Sequence, residues 1–194
     1  MNPRFSRFKH LLFLFALLSL LATVGGNYHA AAAPLAAAVR VIGPASPIVT
    51  GQPFVVTIIA DEVTDLGAFE FEYRFNADIA TTTVNAIELG ALLGSTGRTT
   101  GVLRLASAPG QPGVPLFGAY SYGEAAGAAG NGVLATVTMT ANAPGTSTLR
   151  LTELKITDRS GSVLASTAVA GSVTVIAPTV TRPIYLPLLR RNAP

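Results

Sequence analysis

The clearest pattern in the chain is a strict alternation of aromatic and charged residues between Phe69 and Phe75. Every second residue is aromatic, and the residues between them are Glu70, Glu72 and Arg74. A period of two is the period of a β-strand, in which successive side chains point to opposite faces of the sheet. Each fully buried ring contributes about 2–3 kcal/mol to stability, so the aromatic face needs a second layer to pack against. The pattern predicts a strand at the centre of a two-layer β domain, with its charged face turned to solvent or to a partner.

Apolar or β-branched runs elsewhere in the chain are separated by glycine and proline, which is typical of strands joined by turns. Asp61–Leu66 is predicted as an acidic loop, and Leu89–Leu93 as the one short helical turn. Such spacing indicates an all-β domain, an antiparallel β-sandwich or jelly roll of about nine strands. The predicted strands cover residues 39–42, 54–60, 68–75, 81–89, 103–107, 116–122, 133–141, 147–154 and 172–176.

Composition and charge restrict the classes of protein and of ligand that are consistent with the sequence. The 194 residues include 19 Gly and 13 Pro and only 12% charged residues, as in a turn-rich β protein. The net charge of +3 does not describe the middle of the chain, because six of the thirteen basic residues lie at its two ends. Residues 39–176 carry seven basic and ten acidic side chains, a net charge of −3, which argues against nucleic-acid binding.

The two ends of the chain differ from the middle. Basic residues precede an apolar run at 11–22 and a small-residue segment with A-x-A sites, which predicts a secretory signal peptide over residues 1–38. Cleavage after Ala32 or after Ala38 fits this pattern, and an uncleaved membrane anchor is the alternative. Residues 177–194 form a Pro-rich tail that is interpreted either as a last docking strand or as a recognition or surface-retention tag. We expect a secreted or cell-surface protein with no membrane span after signal cleavage.

Residues suited to catalysis are few. The chain has no Cys, and its two histidines, His10 and His29, lie in the predicted signal peptide. The predicted mature domain therefore lacks the side chains that most often act as general base, zinc ligand or thiol nucleophile. Glu70 and Glu72 lie about 6.6 Å apart along their strand, which overlaps glycosidase spacings. Alternating exposed charges are more often a solvated sheet face, so we predict that the protein is not an enzyme.

Two groups of residues are candidate ligand sites. Asp61, Glu62 and Asp65 are weak candidates for binding calcium together with loop carbonyls, and a solvated acidic loop is the alternative. No other cofactor is predicted. Tyr120 and Tyr122 fall on one face of their strand, where they could stack on sugar rings or pack in the core or at its rim.

Three segments of the predicted domain carry a resemblance to a known family, namely Gly51–Ile58, Leu66–Gly97, and Gly132–Val137 with the later Ala143-Pro144-Gly145 and Thr157–Gly161. In this order they resemble the cohesin family, the nine-stranded jelly-roll modules of cellulosomes and bacterial cell surfaces. The resemblance covers residues 39–176, and the corner after the central strand is Phe75-Asn76-Ala77 instead of the family's Tyr-Asp-Pro.

The resemblance implies a binding module that attaches to a dockerin-bearing or other surface protein, in a setting such as extracellular polysaccharide degradation. In the family, polar residues on the exposed face of the third strand contact the partner. Direct carbohydrate binding through Tyr120 and Tyr122 is the alternative function, because the cohesin fold is similar to several cellulose-binding modules. A passive structural domain of the cell surface is the second alternative. The positions that match the family's contact face are Ala68, Glu70, Glu72 and Arg74. The family often has an amide side chain at the position of Ala68.

Overall fold

The computed structural model describes residues 36–107 and 113–179, so nearly all of the predicted signal peptide and most of the C-terminal tail lie outside it. No helix in this part of the chain is long and apolar enough to cross a membrane. Its elements are β1 (Ala37–Ile42), β2 (Ile48–Val49), β3 (Pro53–Arg74), β4 (Ala80–Thr81), the 3-10 helix η1 (Val84–Ala86), β5 (Ile87–Leu89), β6 (Thr99–Leu105), β7 (Leu116–Tyr122), β8 (Ala128–Ala141), β9 (Gly145–Asp158), β10 (Val163–Leu164), β11 (Ser166–Val169) and β12 (Gly171–Ile176).

Strand β3 is 22 residues long and belongs to both layers of the sandwich. Its first half, residues 53–61, pairs with β1 and β8, whereas its second half, residues 66–74, pairs with β7 and β9. One layer therefore runs β11–β1–β3–β8, with β4 and β5 on β8, and the other runs β6–β7–β3–β9–β12–β2. All pairs are antiparallel except β1–β11 and β12–β2. The predicted all-β sandwich is confirmed, although the described residues form twelve strands and not nine, because several short pairing segments were not predicted.

The alternating pattern of the second half of β3 packs the core as predicted. Phe69, Phe71 and Tyr73 are buried, and the ring of Phe71 lies 5.9 Å from that of Phe117 on β7. The hydroxyl of Tyr73 donates a hydrogen bond of 3.2 Å to the Sδ of Met139, which lies in the opposite layer. Burial raises the pKa of Tyr73, so its hydroxyl stays protonated and can donate this hydrogen bond.

The predicted acidic loop Asp61–Leu66 is wrong, because these residues continue β3 through a corner. The register against β8 shifts after Ala60 and again after Val63, and both Glu62 and Asp65 have positive φ angles, 58° and 53°. Each bulge inserts a residue and bends the strand, which lets it leave one sheet and enter the other. The buried apolar side chains through this corner are therefore spaced by three and not by two, at Ala60, Val63, Leu66 and Phe69.

Two smaller predictions also fail. The single strand predicted over residues 81–89 is interrupted by η1 and forms only the short segments β4 and β5. Residues 89–93 do not form a helical turn; Leu92 and Leu93 are buried within an irregular turn after β5. Both segments are held by backbone hydrogen bonds to loops and to β8, such as the 2.8 Å bond from the Gly90 N–H to the Leu134 carbonyl, and a local pattern does not reveal such pairing.

Candidate binding face

The outward residues of β6, β7, β3 and β9 form one continuous surface, which we call the four-strand face. The strand register fixes its membership, because partners directly across a ladder lie on the same side of the sheet. Its outward residues are Thr99, Gly101, Leu103 and Leu105 on β6; Leu116, Gly118, Tyr120 and Tyr122 on β7; Ala68, Glu70, Glu72 and Arg74 on β3; and Arg150, Thr152, Lys155 and Thr157 on β9.

The three predicted contact residues of β3 differ in how far they are free to bind. Glu72 forms an ion pair with Arg74, with 2.7 Å between Arg74 Nη2 and the carboxylate oxygen. The same carboxylate accepts a 3.1 Å hydrogen bond from the Thr152 hydroxyl. Arg74 Nε in turn donates to the Thr152 Oγ1 at 2.7 Å. The Arg74 guanidinium holds the pKa of Glu72 below its usual range, so this carboxylate stays ionised in a closed triangle. Glu70 is exposed and makes no side-chain hydrogen bond with the described residues, so it is the acidic side chain most available to a partner.

Both tyrosines proposed for sugar binding are exposed, which rules out the core-packing interpretation. Tyr120 is 51% exposed and Tyr122 is 56% exposed, and their ring centroids lie 6.3 Å apart with 28° between the ring planes. Tyr120 pairs directly with Ala68 of β3. The protein-binding and sugar-binding candidates, which the sequence suggested as separate sites, therefore share the four-strand face.

A shallow depression of about 200 Å³ lies between these two groups. Its floor is low because Ala68 and Gly118 are small, and a Cβ on Gly118 would lie 3.2 Å from the Phe69 carbonyl oxygen. Gly101 has a related role, because a Cβ there would lie 2.5 Å from the Tyr120 ring. The ring thus lies over the β6 backbone and forms one wall of the depression. The remaining walls come from Leu103, Glu70 and Lys155.

Strand β6 contributes exposed leucines to the four-strand face that the sequence pattern did not predict. Leu103 and Leu105 are 50% and 53% exposed, whereas Arg104 between them points inward. The guanidinium carbon of Arg104 lies 5.5 Å from the Phe117 ring centroid, and its Nη2 donates to the Ile87 carbonyl of the other layer at 3.1 Å. An inward charge on an edge strand leaves the leucines outside. The alternation of β6 is therefore inverted, because its leucines face outward and Arg104 faces inward.

The end of β7 is fixed by a second unpredicted arginine. Arg98 is buried, and its guanidinium donates to the Ser121 carbonyl at 3.0 Å and to the Ala125 carbonyl at 2.6 Å. Its Nε also donates to the Ser121 hydroxyl at 3.1 Å. These bonds fix the strand end that carries Tyr122 and the turn that follows it.

The weak calcium candidates are held apart at the corner of β3. Asp61 makes a two-point ion pair with Arg40, which lowers the pKa of its carboxyl, and Asp65 accepts a 2.8 Å hydrogen bond from the Gly127 N–H. The backbone N–H of Glu62 donates to the side chain of Asn131. Within residues 36–107 and 113–179, no three His, Cys, Asp or Glu side chains are grouped as metal ligands would be.

Comparison with known proteins connects this architecture to one fold. No protein-family model and no curated protein matches the chain. Among solved structures, it is similar to a non-cellulosomal cohesin from the hyperthermophilic archaeon Archaeoglobus fulgidus, with 13% identity and a TM-score of 0.56 over 73% of this chain and 91% of that one.

Two further matches come from bacteria. A type II cohesin module from a cellulosomal adaptor scaffoldin of Acetivibrio cellulolyticus gives a TM-score of 0.58 at 13% identity, covering 72% of this chain and 96% of that one. A structure of a type I cohesin–dockerin complex from Clostridium thermocellum matches with a TM-score of 0.58 at 12% identity, over 74% and 95% of the two chains. The described domain therefore has a cohesin-like β-sandwich fold, as the resemblance of its sequence predicted.

Proposed function

We propose that this protein is a binding module that attaches to a protein partner through the four-strand face. The observation that carries the proposal is the half-exposed pair Leu103 and Tyr120 beside the charged side chains Glu70 and Lys155, around one small-residue depression. Aromatic and aliphatic anchors within a charged rim are the usual composition of a protein interface. Isolated surface apolar residues are common, but a contiguous group on one sheet face marks a contact site.

The comparisons support a partner of the dockerin type or another surface protein. One of the similar structures is a cohesin–dockerin complex, and this chain is similar in fold to the matched chain of that complex. Glu70 is exposed and forms no ion pair or side-chain hydrogen bond with residues 36–107 and 113–179, so it suits electrostatic steering of an incoming protein. Glu72 and Arg74 neutralise each other and would serve as a polar rim.

Binding measurements with matched variants test this proposal. A panel of purified dockerin modules is the probe, with affinity measured by surface plasmon resonance at two salt concentrations. Leu103→Asp should lower affinity at least tenfold, because it places a charge at the centre of the interface. Glu70→Lys should weaken binding and change its salt dependence.

Two exposed positions of the other layer provide the controls. Val55→Asp matches Leu103→Asp, because Val55 is 53% exposed and lies on an outward position of β3. Glu88→Lys on β5 matches Glu70→Lys in charge change. Neither control should alter affinity. Equal losses in the controls and in the test variants would contradict the use of the four-strand face.

Carbohydrate binding is a second candidate, favoured by the exposed, nearly parallel rings of Tyr120 and Tyr122. Such rings could stack against sugar faces. Retention on cellulose or chitin should then be lost in Tyr120→Ala and Tyr122→Ala and kept in Glu70→Lys. Retention that is equal in all variants would remove this candidate. If neither dockerins nor polysaccharides bind, a passive structural domain of the cell surface becomes the best account.

We also propose that the protein is exported, acts outside the cell or at its surface, and binds without catalysis, within polysaccharide-degrading machinery. Support for export comes from the basic and apolar pattern of residues 1–38, which lies almost entirely outside the described residues. Support for binding without catalysis comes from Glu72, whose carboxylate is held ionised by Arg74 and would be a poor proton donor. Turnover of a polysaccharide that disappears in Glu70→Gln or Glu72→Gln would overturn the second statement.

A further inference from the structure

Two arginines lie directly opposite each other at one end of the four-strand face. Arg74 of β3 and Arg150 of β9 are register partners in the antiparallel ladder. Like charges in directly opposed positions destabilise a sheet, so this arrangement has a cost for the fold. Glu72 neutralises Arg74, with 2.7 Å between the paired atoms. Within the described residues no acidic side chain forms an ion pair with Arg150, so one positive charge of the pair is not neutralised.

The arginines border a second depression of about 380 Å³, separate from the one beside Tyr120. Its lining contains no acidic residue and is mostly polar, with Asn76, Thr146 and Thr148 lining it together with the two arginines. Arg74 uses Nε and Nη2 for Thr152 and Glu72, and its Nη1 makes no hydrogen bond with the described residues. The depression therefore combines free N–H donors, hydroxyl groups and uncompensated positive charge.

We propose that this depression binds an oxyanion, and that its occupant at the interface is a carboxylate side chain of the protein partner. The second part rests on the proposed function. A planar guanidinium binds carboxylate through two parallel hydrogen bonds, and the same donors accept sulfate or phosphate. The four-strand face then has a direction, with an apolar end at Leu103 and Tyr120 and an anion-binding end at Arg74 and Arg150. A partner with an acidic group at one edge of its contact surface can dock in only one orientation.

The test needs no partner protein. The ¹⁵N-labelled mature protein is titrated with N-acetylaspartate or with sodium sulfate, against sodium chloride at equal ionic strength, and amide and arginine Nε–Hε shifts are recorded. Saturable shifts at Thr146, Thr148 and the Arg150 side chain are expected with N-acetylaspartate. The affinity for N-acetylaspartate derived from these shifts should fall at least fivefold in Arg150→Gln. Lys155→Gln is the matched control, because it removes the same charge from the same strand and face, and it should leave the shifts unchanged.

Three results would overturn the proposal. Equal losses in Arg150→Gln and Lys155→Gln, or shifts that do not saturate, would mean diffuse charge and no site. Saturable binding of sulfate without binding of N-acetylaspartate would assign the depression to a sulfated ligand instead of a protein carboxylate. Because Leu103 is outside this depression, Leu103→Asp should keep the shifts even if it abolishes partner binding. The oxyanion site and the proposed protein-binding function can therefore fail separately.

Discussion

The two halves of β3 are one strand with two different outer surfaces. Both halves bury every second side chain, with Phe54, Val56 and Ile58 in the first and Phe69, Phe71 and Tyr73 in the second. The outward side chains of the first half are Val55, Thr57, Ile59 and Asp61, of which only Asp61 is charged, whereas those of the second half are Ala68, Glu70, Glu72 and Arg74. The same alternation thus builds both layers, and only the outward residues distinguish a structural surface from a candidate binding surface.

The inner sides of the two halves meet across the core. Met139, which receives the Tyr73 hydrogen bond, is the register partner of Phe54. A change on the inner side of either half should therefore affect the whole domain, whereas a change on an outer side should remain local. The predictions below test this contrast between inner and outer positions and between the two halves.

The largest effect is expected from truncating buried side chains in either half. Phe71→Ala should lower the free energy of unfolding by about 3–5 kcal/mol, and Ile58→Ala by about 2–5 kcal/mol, because each removes apolar contacts and leaves a cavity. The outward controls Glu70→Ala and Thr57→Ala should change it by about 0.5 kcal/mol or less. Urea denaturation gives the comparison. Similar small losses at all four positions would contradict the two-layer core.

A smaller loss is expected when β1 is shortened. The N–H of Ala37 donates to the Ala165 carbonyl at 2.9 Å, and Ala37 is buried between β11 and β3. A chain starting at Val39 should be less stable than one starting at Ala33 by roughly 2–3 kcal/mol, from the lost hydrogen bonds and buried surface. Hydrogen exchange should increase mainly at residues 57–61 and 166–169, because β1 pairs with the first half of β3 and with β11.

The same contact bears on signal cleavage. Cutting after Ala38 would remove Ala37 from β1, whereas cutting after Ala32 would leave the strand whole. We therefore expect N-terminal sequencing of secreted protein to find a start before Ala37. A mature start at Val39 with unchanged stability would show that β1 does not need its first two residues.

The strands of each half were predictable from sequence, but the corner that joins them was not. Periodicity reports which side of a sheet a residue faces only while the strand is regular. At the corner, the positive φ of Glu62 and of Asp65 changes the spacing of buried residues to three, which a local pattern cannot distinguish from a loop. The charged residues through Asp65 strengthened that wrong interpretation.

The corner also depends on a glycine, which gives a prediction of intermediate size. A Cβ on Gly67 would lie 2.4 Å from the Asp158 carbonyl oxygen, and backbone there cannot yield cheaply. Gly67→Ala should lower the free energy of unfolding by about 1–3 kcal/mol through this overlap. Gly94→Ala is the control, because its Cβ would meet only the Thr100 methyl group at 3.5 Å. Equal stability of the two variants would show that the corner has room to relax.

The candidate site was predictable only where outward residues follow a regular strand. The outward position of Glu70 follows from the strict alternation of β3, in which this residue lies. The contribution of β6 was not predictable, because alternating leucine and arginine is typical of a strand with leucines in the core and arginine in solvent, the reverse of what Leu103, Arg104 and Leu105 do. Their inversion follows from the Phe117 ring and the Ile87 carbonyl, which are distant in sequence and provide an inner environment for a guanidinium.

The smallest expected effect compares one surface ion pair from each half of β3. Arg40 lowers the pKa of Asp61 and Arg74 lowers the pKa of Glu72, in both cases chiefly through a hydrogen bond to the carboxylate. A lowered pKa in the folded state stabilises the protein above the unfolded pKa, about 4, and this contribution is lost as the pH falls through the folded value. Thermal stability should therefore decline on acidification below about pH 4. Asp61→Asn and Glu72→Gln should each make that decline shallower.

Because both pairs are partly exposed, each substitution should lower Tm at pH 7 only slightly, and high salt should reduce the difference. Glu88→Gln, which loses a carboxylate that forms no ion pair with the described residues, is the control for the change in net charge. Circular dichroism melts between pH 2 and pH 7 give the measurement. We expect Asp61→Asn and Glu72→Gln to have equal effects, since each removes one exposed arginine–carboxylate pair. A clearly larger effect of Glu72→Gln would mean that the Glu72–Arg74–Thr152 triangle stabilises the sheet, and that the outer surface of the second half is structural as well as available for binding.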